Sequence, residues 1–181
     1  MSHPWFRTIS QHLAAANQRL FPAHGYFRQQ SQYQLGKTLA KHYRVSSTAS
    51  IEALWQKMND LAGLGSWHPL VRSTNAPNGQ QAKPGLIYRV FTRRIPVPVK
   101  IFVESVLPQQ RISVRAFPVP GLEERVIYRI DSTLCGTQIS YSIELRGWLS
   151  PLAWSFIRPY AAQVARALAQ AAEQMPPQPQ R

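Results

Sequence analysis

The chain has 181 residues, with 21 Lys and Arg against 8 Asp and Glu, one Cys, and 44% hydrophobic residues. That length suits one domain burying roughly 70% of its unfolded surface. A single Cys excludes a disulfide framework and a Cys-based zinc site, and no apolar run reaches the ~18–20 residues that span a bilayer.

A net charge of +13 raises the question of nucleic acid. The distribution argues against it. Residues 1–51 hold six Lys and Arg and no acid, whereas 52–150 mix twelve bases with seven acids. Charged residues make up only 16% of the chain, against ~25% in a typical domain, so the basicity is largely a shortage of carboxylates. The densest basic site is Arg93-Arg94, with no basic stripe or reading motif. Attraction to an anionic membrane surface is the better-supported partner expectation.

In residues 1–36, Trp5, Phe6, Ile9, Leu13, Ala16 and Leu20 recur at helical spacing after Pro4, and Pro22 and Gly25 end the pattern. Three readings stand: a helix packed on the main domain, an interfacial helix with Arg7 and Arg19 facing phosphates, or an organelle leader. Arg7, His12, Asn17 and Arg19 interrupt the apolar run, which argues against a secretory signal. The expected location is cytoplasmic or peripheral to a membrane, with organelle import left open.

Residues 38–46 alternate as a first strand. From Ser50 the period changes, with Ile51, Leu54, Trp55 and Met58 on one helical face. Residues 61–66 form a second short helix or turn ending in Trp67-His68-Pro69. Strand-like segments follow at 70–75, 86–92, 97–107, 111–117, 123–131 and 137–146, separated by turns rich in Pro and Gly. Connections this short make neighbouring strands antiparallel, so the sheet is a meander. A long helix then starts at Ser150-Pro151, a capping hydroxyl before a Pro at N1. Ile157, Tyr160, Ala161, Val164, Leu168, Ala171 and Met175 trace its apolar stripe, and Pro159 should kink it or delay its start. Residues 176–181 are a Pro/Gln tail.

This order predicts an α+β fold, a curved antiparallel seven-stranded sheet wrapped around a long C-terminal helix, with two short helices after the first strand. The chain resembles the START-like (SRPBCC) superfamily of polyketide cyclases/dehydrases, birch-pollen-allergen-like and coenzyme Q-binding START proteins. The resemblance covers about residues 38–174, within a domain taken as 37–175. It rests on the Ser50–Trp55 helix start, Trp67-His68-Pro69, Lys83-Pro84-Gly85, and Val103 ahead of Pro108 and Arg111-Ile112. Gly136-Thr137 and Gly147 complete it. The resemblance implies the helix-grip fold and a hydrophobic cavity between sheet and helix.

Period-2 parity assigns the inward residues: Leu86, Tyr88 and Val90; Val97, Val99, Ile101 and Val103; Ile112, Val114 and Ala116; Val126, Tyr128 and Ile130; and Ile139, Tyr141, Ile143 and Leu145. The candidate ligand wall comprises Trp67, His68, Tyr88, Val90, Ile101, Val114, Tyr128, Tyr141 and Ile143, with Ile157, Tyr160 and Val164 from the helix. It would suit a lipid, quinone or polyketide-like molecule, unless the same side chains simply pack on the helix. Alternate meander turns share an end, so 93–96, 117–122 and 147–151 lie together. Arg93, Arg94, Ile95 and Trp148 there look like a cavity mouth that docks on a membrane, or like side chains packed under the N-terminal segment.

Catalytic signals are weak. The five His lack metal-site spacing, Glu104 and Glu144 fall on the outward parity, and Cys135 has no identifiable base beside it. Arg89, Arg115, Arg125 and Arg129 read as a solvated basic face. The expected function is cofactor-free, non-catalytic binding or transport of a hydrophobic small molecule. The alternatives are a polyketide cyclase/dehydrase-type enzyme using Tyr88, Tyr128, Tyr141 or His68, and a membrane-surface accessory protein with a closed cavity.

Overall fold

The computed structural model describes residues 38–134 and 136–175. The chain divides into two units, Met1–Gln34 and Leu35–Arg181, and the described residues belong to the second. The readings of residues 1–36, of Cys135 and of the 176–181 tail therefore lie outside the described residues.

The elements run β1 (Leu39–Ser47), α1 (Ile51–Asn59), α2 (Leu64–Trp67), β2 (Val71–Thr74), β3 (Ile87–Thr92), β4 (Val99–Leu107), β5 (Arg111–Val119), β6 (Leu122–Thr133), β7 (Gly136–Arg146) and α3 (Ser150–Glu173). One seven-stranded sheet has the order β1-β7-β6-β5-β4-β3-β2. The expected meander is present from β2 to β7, all pairs antiparallel, and β1 closes the far edge against β7. Together with the terminal helix this is the helix-grip arrangement expected from the sequence.

Helix α1 starts where Ser50 Oγ accepts a hydrogen bond from the Ala53 N–H at 3.2 Å, satisfying one of the free N–H groups of the first turn. Its Leu54 and Met58 enter the core. Helix α3 departs from expectation at its start. Leu149 occupies the cap position without a side-chain bond, and Ser150, already helical, is fully buried with its hydroxyl unpartnered. The helix also continues through Pro159. Because residue 159 lacks an N–H, the Ser155 carbonyl loses its usual helical donor.

The two halves of α3 differ. Ala161, Val164, Ala165, Leu168, Ala169 and Ala172 are buried to 3% exposure or less. The alanines let the helix approach its neighbours closely, and α3 packs mainly on β1, β7 and α1. Glu173 fixes this end, accepting from Ser47 Oγ at 2.8 Å and from the Thr48 N–H at 3.0 Å, bonds that hold its carboxyl below the ordinary range. In the first half, by contrast, Leu152 and Phe156 are exposed, and Ala153, Trp154, Ile157 and Tyr160 are only partly covered.

Expectation and structure part again on the convex face. Arg115 and Arg125 are not freely solvated: both bridge Glu104, Arg125 at 2.8 Å, and Arg115 also reaches Glu123 at 3.2 Å. Burial alone would raise the Glu104 pKa, but hydrogen bonds from Arg115 and Ser113 and the two guanidinium charges hold it below the ordinary value. A bulge between Val103 and Ser105 in the β4–β5 register sits beside this acid. Val97, expected to face inward, lies in the β3–β4 loop and is exposed.

Candidate functional site

Strand register builds the inner wall row by row. One row crosses the sheet through Tyr88, Ile101, Ala116, Glu124 and Leu145. The next holds Val103, Val114, Val126 and Ile143. A third holds Ile112, Tyr128, Tyr141 and Tyr43. Successive same-face rows are about 7 Å apart along the strands.

Most of this wall is closed. Val103, Ile139, Ile143 and Leu145 are at most 1% exposed, and Tyr88, Val90 and Tyr141 at most 6%. Val164 of α3 is fully buried over them. Of the expected ligand wall, Tyr88, Val90, Tyr141, Ile143 and Val164 are core residues in this structure. Ile101, Val114 and Glu124 differ, because they face inward yet stay only half-buried. Trp154, Ile157 and Tyr160, in the first half of α3, are likewise only partly covered. Ile101 and Val114, like Trp154 and Ile157 of this half of α3, pack against the core without being enclosed by it.

The turns of the expected mouth lie at one end of the sheet. Gly121 and Gly147, both with positive φ, bring the β5–β6 turn against the β7–α3 turn so closely that a Cβ at either would collide with the other turn or with Trp148. Trp148 is 75% exposed above them, and Ile95, Val97, Leu152 and Phe156 are also exposed. Arg94 spans the rim, its Nε donating to the Tyr160 hydroxyl at 2.7 Å with the guanidinium 5.6 Å from the ring centroid. Arg93 reaches the Gly65 carbonyl at 3.5 Å. Tyr160, expected on the wall, is thus a rim residue.

At the inner end of the wall the aromatic rings form a cluster. Tyr128 lies 5.3 Å from Tyr141, Tyr43 stacks 6.2 Å from Tyr141, and Trp67 meets Tyr128 edge-on at 6.3 Å. Burial raises the pKa of Tyr88, Tyr128 and Tyr141 well above that of a free phenol, and Glu124 adds to the rise at Tyr128 and Tyr141. The Trp67 indole N–H is buried without a partner. His68 belongs to the turn after α2: its Nδ1 accepts from the Leu70 N–H at 3.3 Å, and burial lowers its pKa to about 4. The ring is neutral at pH 7, with its proton on Nε2.

Glu124 is the residue that sequence reading missed. Burial raises its carboxyl pKa to about 7. Its register places it on the inward face, between Ala116 and Leu145. The signal was present, since Glu124 shares the inward parity of Val126 and Tyr128. Among the described residues no group of His, Cys, Asp and Glu could hold a metal. A separate depression of about 420 Å³ lies at the opposite end of the sheet, bounded by Leu107, Gln110, Arg111, Arg129, Asp131 and Ser132.

No family model and no curated protein matches the chain. Solved structures do. Ara h 8.0201 superimposes with a TM-score of 0.60 at 12% identity, over 77% of this chain and 100% of that one. The di-domain ARO/CYC BexL from the BE-7585A biosynthetic pathway gives 0.59 at 17%, over 77% of this chain and 51% of that one. Truncated norcoclaurine synthase from Thalictrum flavum gives 0.56 at 16%, over 78% and 97%. These likenesses show the helix-grip fold.

Proposed function

We propose that the protein binds a hydrophobic small molecule, of lipid, quinone or polyketide-like character, in the cleft between the β4–β6 inner wall and the first half of α3, without catalysis. The observation that supports this most is the half-buried inward strip at Ile101, Val114 and Glu124, set against the fully packed wall around it. A domain with a closed core would cover such a strip, because apolar surface left uncovered forgoes roughly 25 cal/mol per Å². The test is a fluorescence titration with N-phenyl-1-naphthylamine. Wild type is expected to take up one probe, and Val114→Trp, which fills the cleft, to lose it at unchanged fold. Equal uptake by both would reject the cleft.

The ligand is expected to enter at the rim, from an anionic membrane surface. Exposed Ile95, Val97, Trp148, Leu152 and Phe156 with Arg93 and Arg94 fit an interface of acyl chains and phosphates. Replacing Arg93, Arg94, Ile95 and Trp148 together by polar neutral residues is expected to weaken binding to phosphatidylglycerol vesicles roughly tenfold or more. Unchanged vesicle binding would refute the docking surface and leave the cleft untouched. One observation favours the enzyme reading of polyketide cyclase/dehydrase type. A carboxyl with a pKa of about 7 on the same inner wall as buried phenols has the chemistry for proton transfer.

A further inference from the structure

The four other acids on the sheet all lie on its outer face, and each is matched. Glu104 and Glu123 are bridged by Arg115 or Arg125, Asp131 by Arg129 and Glu144 by Arg146. Glu124 is the exception. It is the sheet acid whose register points inward, between Ala116 and Leu145, and among the described residues it has neither an ion pair nor a hydrogen bond. In a chain with thirteen surplus positive charges, a lone unpaired acid inside is not forced by composition. An unpaired buried carboxyl costs stability, and such departures from good packing concentrate at functional sites.

The surroundings restrict what could complete it. From β5 it meets Ala116, whose single methyl leaves room, and Val114 beyond. β7 contributes Leu145 and Tyr141, β3 and β4 contribute Tyr88 and Ile101, and β6 contributes Tyr128. Among the basic groups on the surrounding elements, Arg158 of α3 is exposed. Arg94 is held at the rim by Tyr160, His68 is neutral in its turn, and Lys41, in register with Ile143, is exposed at the β1 edge. No base contributes to the electrostatics of the Glu124 carboxyl. The inner surface thus offers one carboxyl and the negative faces of aromatic rings, which disfavour an anion. A cation would meet a counter-charge at Glu124, and an apolar body attached to it the ring faces of Tyr128 and Tyr141 farther in.

We propose that the cleft takes a hydrophobic molecule carrying a protonated amine, with Glu124 as its counter-ion and the Val114–Val126 floor beneath its apolar body. The proposal rests on the ligand-binding reading of the cleft. Glu124 stands two rows from Tyr128, about 13 Å along the strand, so the amine lies toward the rim and the apolar end toward the tyrosines. Binding draws the proton from Glu124, and affinity for an amine therefore rises with pH through neutrality.

Two probes of matched shape test this on the full chain by calorimetry, 2-(1-naphthyl)ethylamine and 2-(1-naphthyl)ethanol. At pH 7.5 wild type is expected to bind the amine at least about tenfold more tightly than the alcohol, and amine affinity should fall roughly tenfold from pH 8 to pH 6. Glu124→Gln should bind the alcohol as wild type does, which reports an intact cleft, and lose both the amine preference and its pH dependence. Equal affinity of wild type for the two probes, or a preference that survives in Glu124→Gln, overturns the proposal while the cleft stands. Absence of binding by either probe to wild type overturns the cleft reading along with it.

Discussion

Replacing Leu168 by Ala is expected to cost about 3 kcal/mol of folding stability and to lower Tm by roughly 10 °C, whereas Phe156→Ser should change stability by less than about 0.5 kcal/mol. Both residues are large and apolar, and both belong to α3. Leu168 has no exposed surface, and Phe156 is 60% exposed. Deleting the Leu168 side chain loses its burial and leaves a cavity among Val164, Ala165 and the β1 and β7 side chains, which have little freedom to collapse. Removing the Phe156 ring takes away surface already in water. Urea denaturation of the two variants measures both values. Similar losses would mean that the whole helix is core, and the division of α3 into a packed half and a half beside the cleft would be wrong.

Stability should depend on pH in opposite directions at two buried groups. Glu124 has a folded pKa raised to about 7 from an ordinary 4.5. The folded state therefore holds a proton that the unfolded chain has released, and stability falls as pH rises between those values, by about 3 kcal/mol. His68 has a folded pKa lowered to about 4 from 6.5. Here the unfolded chain holds the extra proton, so stability rises across that range by a similar amount. Wild type should be nearly flat between pH 4.5 and 6.5, where the slopes oppose. Glu124→Gln should leave the rising His68 profile, and His68→Asn, which keeps an acceptor for the Leu70 N–H, the falling Glu124 profile. Glu104 and Glu173, with lowered pKa values, contribute stability that is complete above the ordinary carboxylate range and is lost only in stronger acid. Urea melts at half-unit pH steps measure this. Parallel profiles for the two variants would contradict the placement of both groups.

The architecture was legible because its signals are local. Two-residue alternation marks the strands, turns of a few residues set the meander, and the meander alone places Arg93, Arg94 and Trp148 at one end. What escaped depends on contacts across the sheet. Glu104 joins Arg115 and Arg125 from two other strands past a bulge, and no spacing in the chain records that network. The apolar stripe of α3 runs unbroken from Ile157 to Leu168, so it does not mark where the helix leaves the sheet. The small residues Ala161, Ala165, Ala169 and Ala172 carried that information, because only close approach needs them. Glu124 was passed over for a different reason. Its parity is that of Val126 and Tyr128, but the inward set was chosen for apolar character, and a carboxyl at a core-facing position fell outside it.

Ligand binding requires a ligand-sized space beside Ile101, Val114 and Glu124. A crystal structure of the protein soaked with N-phenyl-1-naphthylamine tests it most directly. The expected result is probe density along Val114 and Val126, beneath Ile157 and within reach of the Glu124 carboxyl. Density found instead only in the depression bounded by Arg111 and Asp131, with the helix side chains closed over Val114, would contradict it.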